Sequence, residues 1–213
     1  MSSTCLLTTS YLAPIHYYCK LFHFDKIIVE QHCNYIKQTY RNRCSIVAAN
    51  GIMTLSVPIE KFSEKKQQTK DVRIANHGNW QHLHWNAIVS AYNSSPFFEY
   101  YQDDFVLFFK KKHTFLFDLN ESLRELITAL LGIGNEKISY STMYSKEVIV
   151  DVDDCREIIH PKKNHKEDSC FSPVQYYQVF DARFGFLPNM SIIDLLFNMG
   201  TESLLILRDS YKL

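Results

Sequence analysis

Two apolar runs flanking a helical stretch constrain this chain more than any other feature. Residues 5–9 are apolar and β-branched, and Ile27-Ile28-Val29 reads as a buried strand. Between them Tyr11-Leu12-Ala13-Pro14 makes a loop, and residues 15–24 form an aromatic-rich helix with Pro14 near its start. Asp25-Lys26 breaks the pattern before the second run. Strand, loop, helix and strand in this order favour a parallel pair joined by a right-handed crossover. The expected class is therefore α/β, with a mixed α+β arrangement as the alternative.

Residues 44–49, Asn50-Gly51 and residues 52–59 read as a β-hairpin, because Asn-Gly favours the positive φ angles of a type I′ turn. Residues 60–70 are charged and glutamine-rich, as in a solvated loop, and 71–75 alternate as a short strand. Residues 79–92 place Trp80, Leu83, His84, Ala87, Ile88 and Ala91 three and four apart, an amphipathic helical face. Ser95-Pro96 starts a second helix, residues 97–110. Asn120-Glu121 opens a third that runs to Leu131 and stops at Gly132 and Gly134.

Residues 138–140 and 148–150 fit strands, and 151–172 look like an extended, polar surface connection. Structure resumes at 176–180, turns at 185–188, and re-enters a helix at Ser191. There Ser191 as N-cap and Asp194 at the third helical position imply a capping box. The expectation is one compact domain over 1–213, with a β-rich first third and a helical remainder.

Composition narrows the function classes. The 213 residues carry 23 basic and 23 acidic side chains. That balance argues against a dedicated nucleic-acid binder, which must neutralise many phosphates. A hydrophobic fraction of 46%, with 15 Phe and 13 Tyr, provides for a substantial core. Six cysteines show no paired-ligand spacing, no basic segment precedes a long apolar run, and no stretch approaches the ~20 apolar residues of a membrane helix. A reducing cytoplasm with free thiols is expected.

The densest chemistry lies in Lys37-Gln38-Thr39-Tyr40-Arg41-Asn42-Arg43. If Arg41, Asn42 and Arg43 enter a strand, both guanidiniums share one face and the asparagine takes the other. Two planar forks suit a phosphate or carboxylate. Lys37, Arg41, Asn42 and Arg43 are thus candidate anion ligands, against the plainer reading of solvated or ion-paired charges on an edge strand. His84, beside Trp80 and Ile88, is the preferred proton-transfer residue, unless it is a hydrogen-bonded core histidine. His16, in Pro14-Ile15-His16, is a second catalytic candidate because nucleotidyltransferases place a Pro-x-His element between strand and helix. The second histidine they need downstream is replaced here by Tyr17, Tyr18 and Cys19. Tyr11, Tyr40, Trp80 and Tyr92 are expected to line the pocket. No metal site is expected, since His77, His82 and Asp71 match no familiar ligand spacing. Glycine-rich phosphate loops are absent from the sequence.

Several of these segments, taken in order, resemble the WbqC-like protein family: Tyr11-Leu12-Ala13-Pro14, Arg41-Asn42-Arg43, Trp80, His84-Trp85, Ala91-Tyr92, Pro96-Phe97 and Leu130-Leu131-Gly132-Ile133. The resemblance closes with Tyr177-Gln178-Val179-Phe180, Phe184-Gly185-Phe186-Leu187-Pro188 and the run from Ser191 to Gly200. Some members are similar to proteins encoded with surface-polysaccharide enzymes, so the resemblance implies a setting near nucleotide-linked or lipid-linked sugars. Longer members carry a glycine-bearing loop after the position of Tyr140, where this chain is short and charged. The expected activity is a transferase acting on an anionic nucleotide sugar or polyprenyl-linked sugar. The alternatives are a non-enzymatic scaffold in polysaccharide assembly and a nucleotide-binding domain centred on His16. Cofactor and oligomeric state are left open by the sequence.

Overall fold

A computed structural model of the chain describes residues 3–62, 66–147 and 151–212. The opening unit is β1 (Thr4–Thr8), α1 (Ile15–His23) and β2 (Lys26–Glu30). β1 and β2 pair in parallel from Thr4 against Lys26 to Thr8 against Glu30. Alternation sends Cys5, Leu7, Ile27 and Val29 into the apolar core with Tyr18, Cys19 and Leu21 of α1. The opposite face carries Leu6 and Ile28.

Two three-residue strands complete a parallel sheet. β5 (Ile138–Tyr140) lies against β2 and β6 (Val152–Asp154) against β1, giving the order β5-β2-β1-β6. β6 corrects the expectation for 151–172, because that segment enters the fold. Cys155, Arg156, Asp168 and Phe171 are all buried. The expected strand at 148–150 lies outside the described residues.

β3 (Arg43–Ala48) and β4 (Gly51–Ser56) form the expected hairpin, an antiparallel pair with Ala48 opposite Gly51. Its turn differs from expectation. Neither Ala49 nor Asn50 has a positive φ, as a type I′ turn requires, and the left-handed residue is Gly51 at φ +103°. Arg41 and Asn42 precede the strand, so alternation does not place the two arginines. The stretch 71–75 makes isolated bridges, Ile74 to Ile59 and Arg73 to Phe115, instead of a strand. Thr69, in the expected solvated loop, is fully buried, and its hydroxyl donates to the Cys33 carbonyl oxygen at 2.9 Å.

The helices are α2 (Trp80–Tyr92), α3 (Phe98–Lys110), α4 (Leu116–Leu131), α5 (Asp181–Phe184), α6 (Ile192–Met199) and α7 (Ser203–Asp209). On α2 the buried stripe is Trp80, His84, Ile88, Ala91 and Tyr92, while Leu83 is exposed. α4 begins one turn before Asn120, because Leu116 and Leu119 already belong to the stripe that continues through Leu123, Ile127 and Leu131. Gly132 closes it at φ +70°.

The capping box at Ser191 is absent. Its hydroxyl donates to the Leu12 carbonyl oxygen at 2.7 Å, and the Asp194 carboxylate accepts from Tyr92 and Gln178, each at 2.8 Å, and from Tyr176. Asp194 therefore anchors the core between α2 and α6; burial raises its pKa against the pull of those three donors. Among the described residues no helix is long and apolar enough to cross a membrane.

Candidate anion-binding site

In open parallel sheets ligands collect outside the carboxyl ends of the strands. Here those ends are Thr8 of β1, Glu30 of β2, Tyr140 of β5 and Asp154 of β6. The buried Glu30 carboxylate accepts from the His32 and Cys33 amides at 2.6 and 3.0 Å, and from the Ser141 hydroxyl at 3.0 Å. One side chain thus folds the β2 exit back and ties it to the β5 exit. Its other oxygen lies 3.9 Å from Arg156 Nη1.

Arg156 follows β6. Its Nε and Nη2 donate to the two Asp154 oxygens at 2.9 and 2.7 Å, and Nη1 donates to the Ser145 carbonyl oxygen at 2.8 Å. The guanidinium also stands 5.6 Å from the Tyr144 ring centre. Although burial pushes the Asp154 carboxyl upward, the bonds from Arg156 outweigh it and hold its pKa below the ordinary value.

Arg41 faces the same space from the loop after β2. It is 3% exposed, yet its Nη1 meets only the Thr39 hydroxyl at 3.4 Å and its Nη2 only the Cys33 sulfur at 3.7 Å. Its Nε is buried with no partner, and it forms no ion pair among the described residues. The cavity it lines has a volume of about 370 Å³ and is shared with Cys33, Tyr144, Lys146, Asp154, Arg156 and Glu157. Three cations thus stand against two carboxylates, one of them already held by Arg156.

Arg43 lies close by without lining this cavity. Burial raises the Tyr35 phenol to about 12, and the charges of Arg41 and Arg43 both pull it down. Arg43 Nε is also buried without a partner. Asn42 has a structural bond instead, its Nδ2 donating to the Val57 carbonyl oxygen at 2.9 Å. Lys37 is exposed on the turn before it.

The remaining candidates gather elsewhere. The Tyr11 hydroxyl is 2.9 Å from His84 Nδ1, and Trp80 packs edge-on against His84 with ring centres 5.1 Å apart. Burial lowers the His84 pKa to about 4, against a bond with the Ser56 backbone. The Tyr40 carbonyl oxygen accepts from the Tyr11 amide at 2.8 Å, and Tyr92 is committed to Asp194. None of these residues lines the Arg41 cavity, so one cavity joining both arginines to α2 is not what the chain builds. His16 is buried under Phe171, with Nε2 2.7 Å from Asp168, which also pairs with Lys20 at 2.5 Å. Burial lowers the His16 pKa more than Asp168 raises it. That cluster reads as a buried clasp between α1 and the 165–171 segment.

Sequence reasoning missed Arg156 and Asp154, from the segment read as a polar connection, and Tyr144 and Lys146, from the stretch between two expected strands. The available signal was Asp154 and Arg156 on either side of Cys155, too short to distinguish from a charged loop.

A family model described as the WbqC-like protein family matches residues 9–166, which include Arg41, Arg43, His84 and Arg156 and exclude α5 to α7. The "Uncharacterized protein Rv1507c" of Mycobacterium tuberculosis (strain ATCC 25618 / H37Rv) is 23% identical over 229 residues, covering 95% of this chain and 96% of that protein. No solved structure matches.

Proposed function

For a chain that belongs to the WbqC-like protein family, we propose the binding of an anionic small molecule in the Arg41 cavity, at the carboxyl edge of the parallel sheet. The observation that carries this reading is the Arg41 guanidinium, buried and without an anionic partner among the described residues. Removing a charge from water costs several kcal/mol unless it is paired, and a bound phosphate or carboxylate supplies the missing partner. Arg156 is held in a fixed orientation beside the cavity by Asp154 and Ser145. Lys146 adds a third cation at the rim.

In its reaction-level form the ligand is a nucleotide-linked or lipid-linked sugar and the chain is a transferase. The arginine-held phosphate is then the leaving group. Glu157, exposed and without an ion pair among the described residues, lines the same cavity and is a carboxylate able to accept the proton of an attacking hydroxyl. Glu157→Gln should then abolish turnover and leave ligand binding in place.

The test of the binding reading is a thermal-shift panel of inorganic phosphate, pyrophosphate, nucleoside diphosphates, nucleotide sugars, dicarboxylates and neutral sugars. A true ligand at a hundredfold its Kd stabilises by about 2.7 kcal/mol. Anions should shift the wild type, neutral sugars should not, and Arg41→Ala should lose the shift. A panel with no anion-dependent shift, or a full shift in Arg41→Ala, overturns the reading.

A further inference from the structure

Resting on the anion reading above, we infer that the anion is the phosphate head of an amphiphile whose hydrocarbon chain lies along the outer face of the parallel sheet. The Arg41 cavity adjoins a trough of about 440 Å³ lined by the apolar Leu6, Ile28, Val152 and Met143 and also by polar residues that include Glu30 and Glu147. The two spaces meet on the sheet itself. Leu6 of the trough is the direct cross-strand partner of Asp154 of the cavity, and neighbouring strands lie about 4.8 Å apart. Val152 and Asp154 also share one face of β6, about 7 Å apart along the strand.

The wall between the two spaces is the segment after β5. Tyr144 and Lys146 line the cavity while Met143 and Ser145 line the trough. Arg156 fixes that wall, donating to Ser145 O while it grips Asp154. The cationic group therefore stands at the mouth of the apolar channel.

The trough does not end at Ile28 and Val152. Both residues also line a second recess that reaches Thr4, Phe22 and Ser139 near the opposite end of the strands. Parallel sheets are normally covered on both faces. Here one face holds Cys5, Leu7, Ile27 and Val29 in the core, and the other presents Ile28 and Val152 half-buried, lining both the trough and the recess. Arg41, buried without an ion pair among the described residues, presents a planar fork of donors that matches a phosphate head, while Asp154 and Glu30 stand against Arg156.

The experiment is a calorimetric series of straight-chain alkyl phosphates from ethyl to decyl, below their micelle concentrations, with inorganic phosphate and the matching alkyl carboxylates alongside. Kd should fall about fourfold for each added methylene until the trough is full. Met143→Ser, a change at an exposed position that shortens the apolar lining without adding charge, should flatten that slope. A flat series with ethyl phosphate still bound overturns the hydrocarbon inference and leaves the anion reading standing. Binding of carboxylates alone overturns the phosphate assignment. No binding by any member, inorganic phosphate included, removes the anion reading and this inference together.

Discussion

The Asn120 side chain donates a 2.8 Å hydrogen bond to the carbonyl oxygen of Arg41. That bond ties the loop carrying the buried arginine to α4, and Asn120 Oδ1 is itself buried without a partner. The neighbouring Glu121 accepts from the Thr9 hydroxyl, at the exit of β1, and pairs with Arg124 at 2.7 Å. The position of Arg41 is therefore set by α4 and by the strand ends as much as by its own loop.

Asn120→Ala should lower stability by about 1–2 kcal/mol, since it strands a buried carbonyl acceptor. It should also weaken anion binding, because Arg41 loses its tether. Urea unfolding and calorimetry on the same sample check both effects. Unchanged affinity would show that the loop holds its position without α4.

His84 gives a pH dependence with a definite sign. Its ordinary pKa is 6.5 and its folded value about 4. Between these values the unfolded chain takes up a proton that the folded chain refuses, so stability is full above 6.5 and falls as pH drops toward 4. The loss attributable to this residue is about 3 kcal/mol. Comparing unfolding free energies of wild type and His84→Gln across that range should isolate it.

Asp168 holds two buried bases, His16 and Lys20. Asp168→Ala leaves a buried lysine unpaired and should cost roughly 3–5 kcal/mol. Asp168→Asn should recover part of that loss by accepting one bond. Denaturation midpoints of the two variants rank them; equal midpoints would assign the loss to packing.

Gly200 and Gly51 both have positive φ, at +56° and +103°. A Cβ on Gly200 would lie 2.7 Å from the Phe97 ring, whereas one on Gly51 meets nothing within 4 Å. Gly51→Ala should therefore cost only backbone strain, about 1 kcal/mol, and Gly200→Ala distinctly more. Thermal midpoints of the two variants give the comparison.

The crossover at the start of the chain was readable because Ile27-Ile28-Val29 has no other comfortable environment than a buried strand. Hairpin, α2 and α3 were readable for the same reason, a clear period bounded by turn residues. β6 was not, because three residues with two aspartates carry no period, and its pairing with β1 spans the whole middle of the chain. The arginine cluster pointed to Arg41, which lines a cavity, and to Arg43, which does not line it. Arg41 reached the cavity through burial that its polar neighbours concealed, and its partner Arg156 came from a segment that reads as solvent-exposed. Asp194 shows the converse: local spacing implied a cap, and tertiary contacts with Tyr92, Tyr176 and Gln178 took its carboxylate instead.

The most direct test of the account replaces Arg41 with methionine, of similar length but uncharged, and measures unfolding free energy with and without phosphate. Without ligand, Arg41→Met should be as stable as the wild type or more so, because an unpaired buried charge has been removed. With phosphate the wild type should gain stability and the variant should not. A variant destabilised by several kcal/mol in the absence of ligand, with the phosphate response intact, would contradict the account and make Arg41 a structural residue.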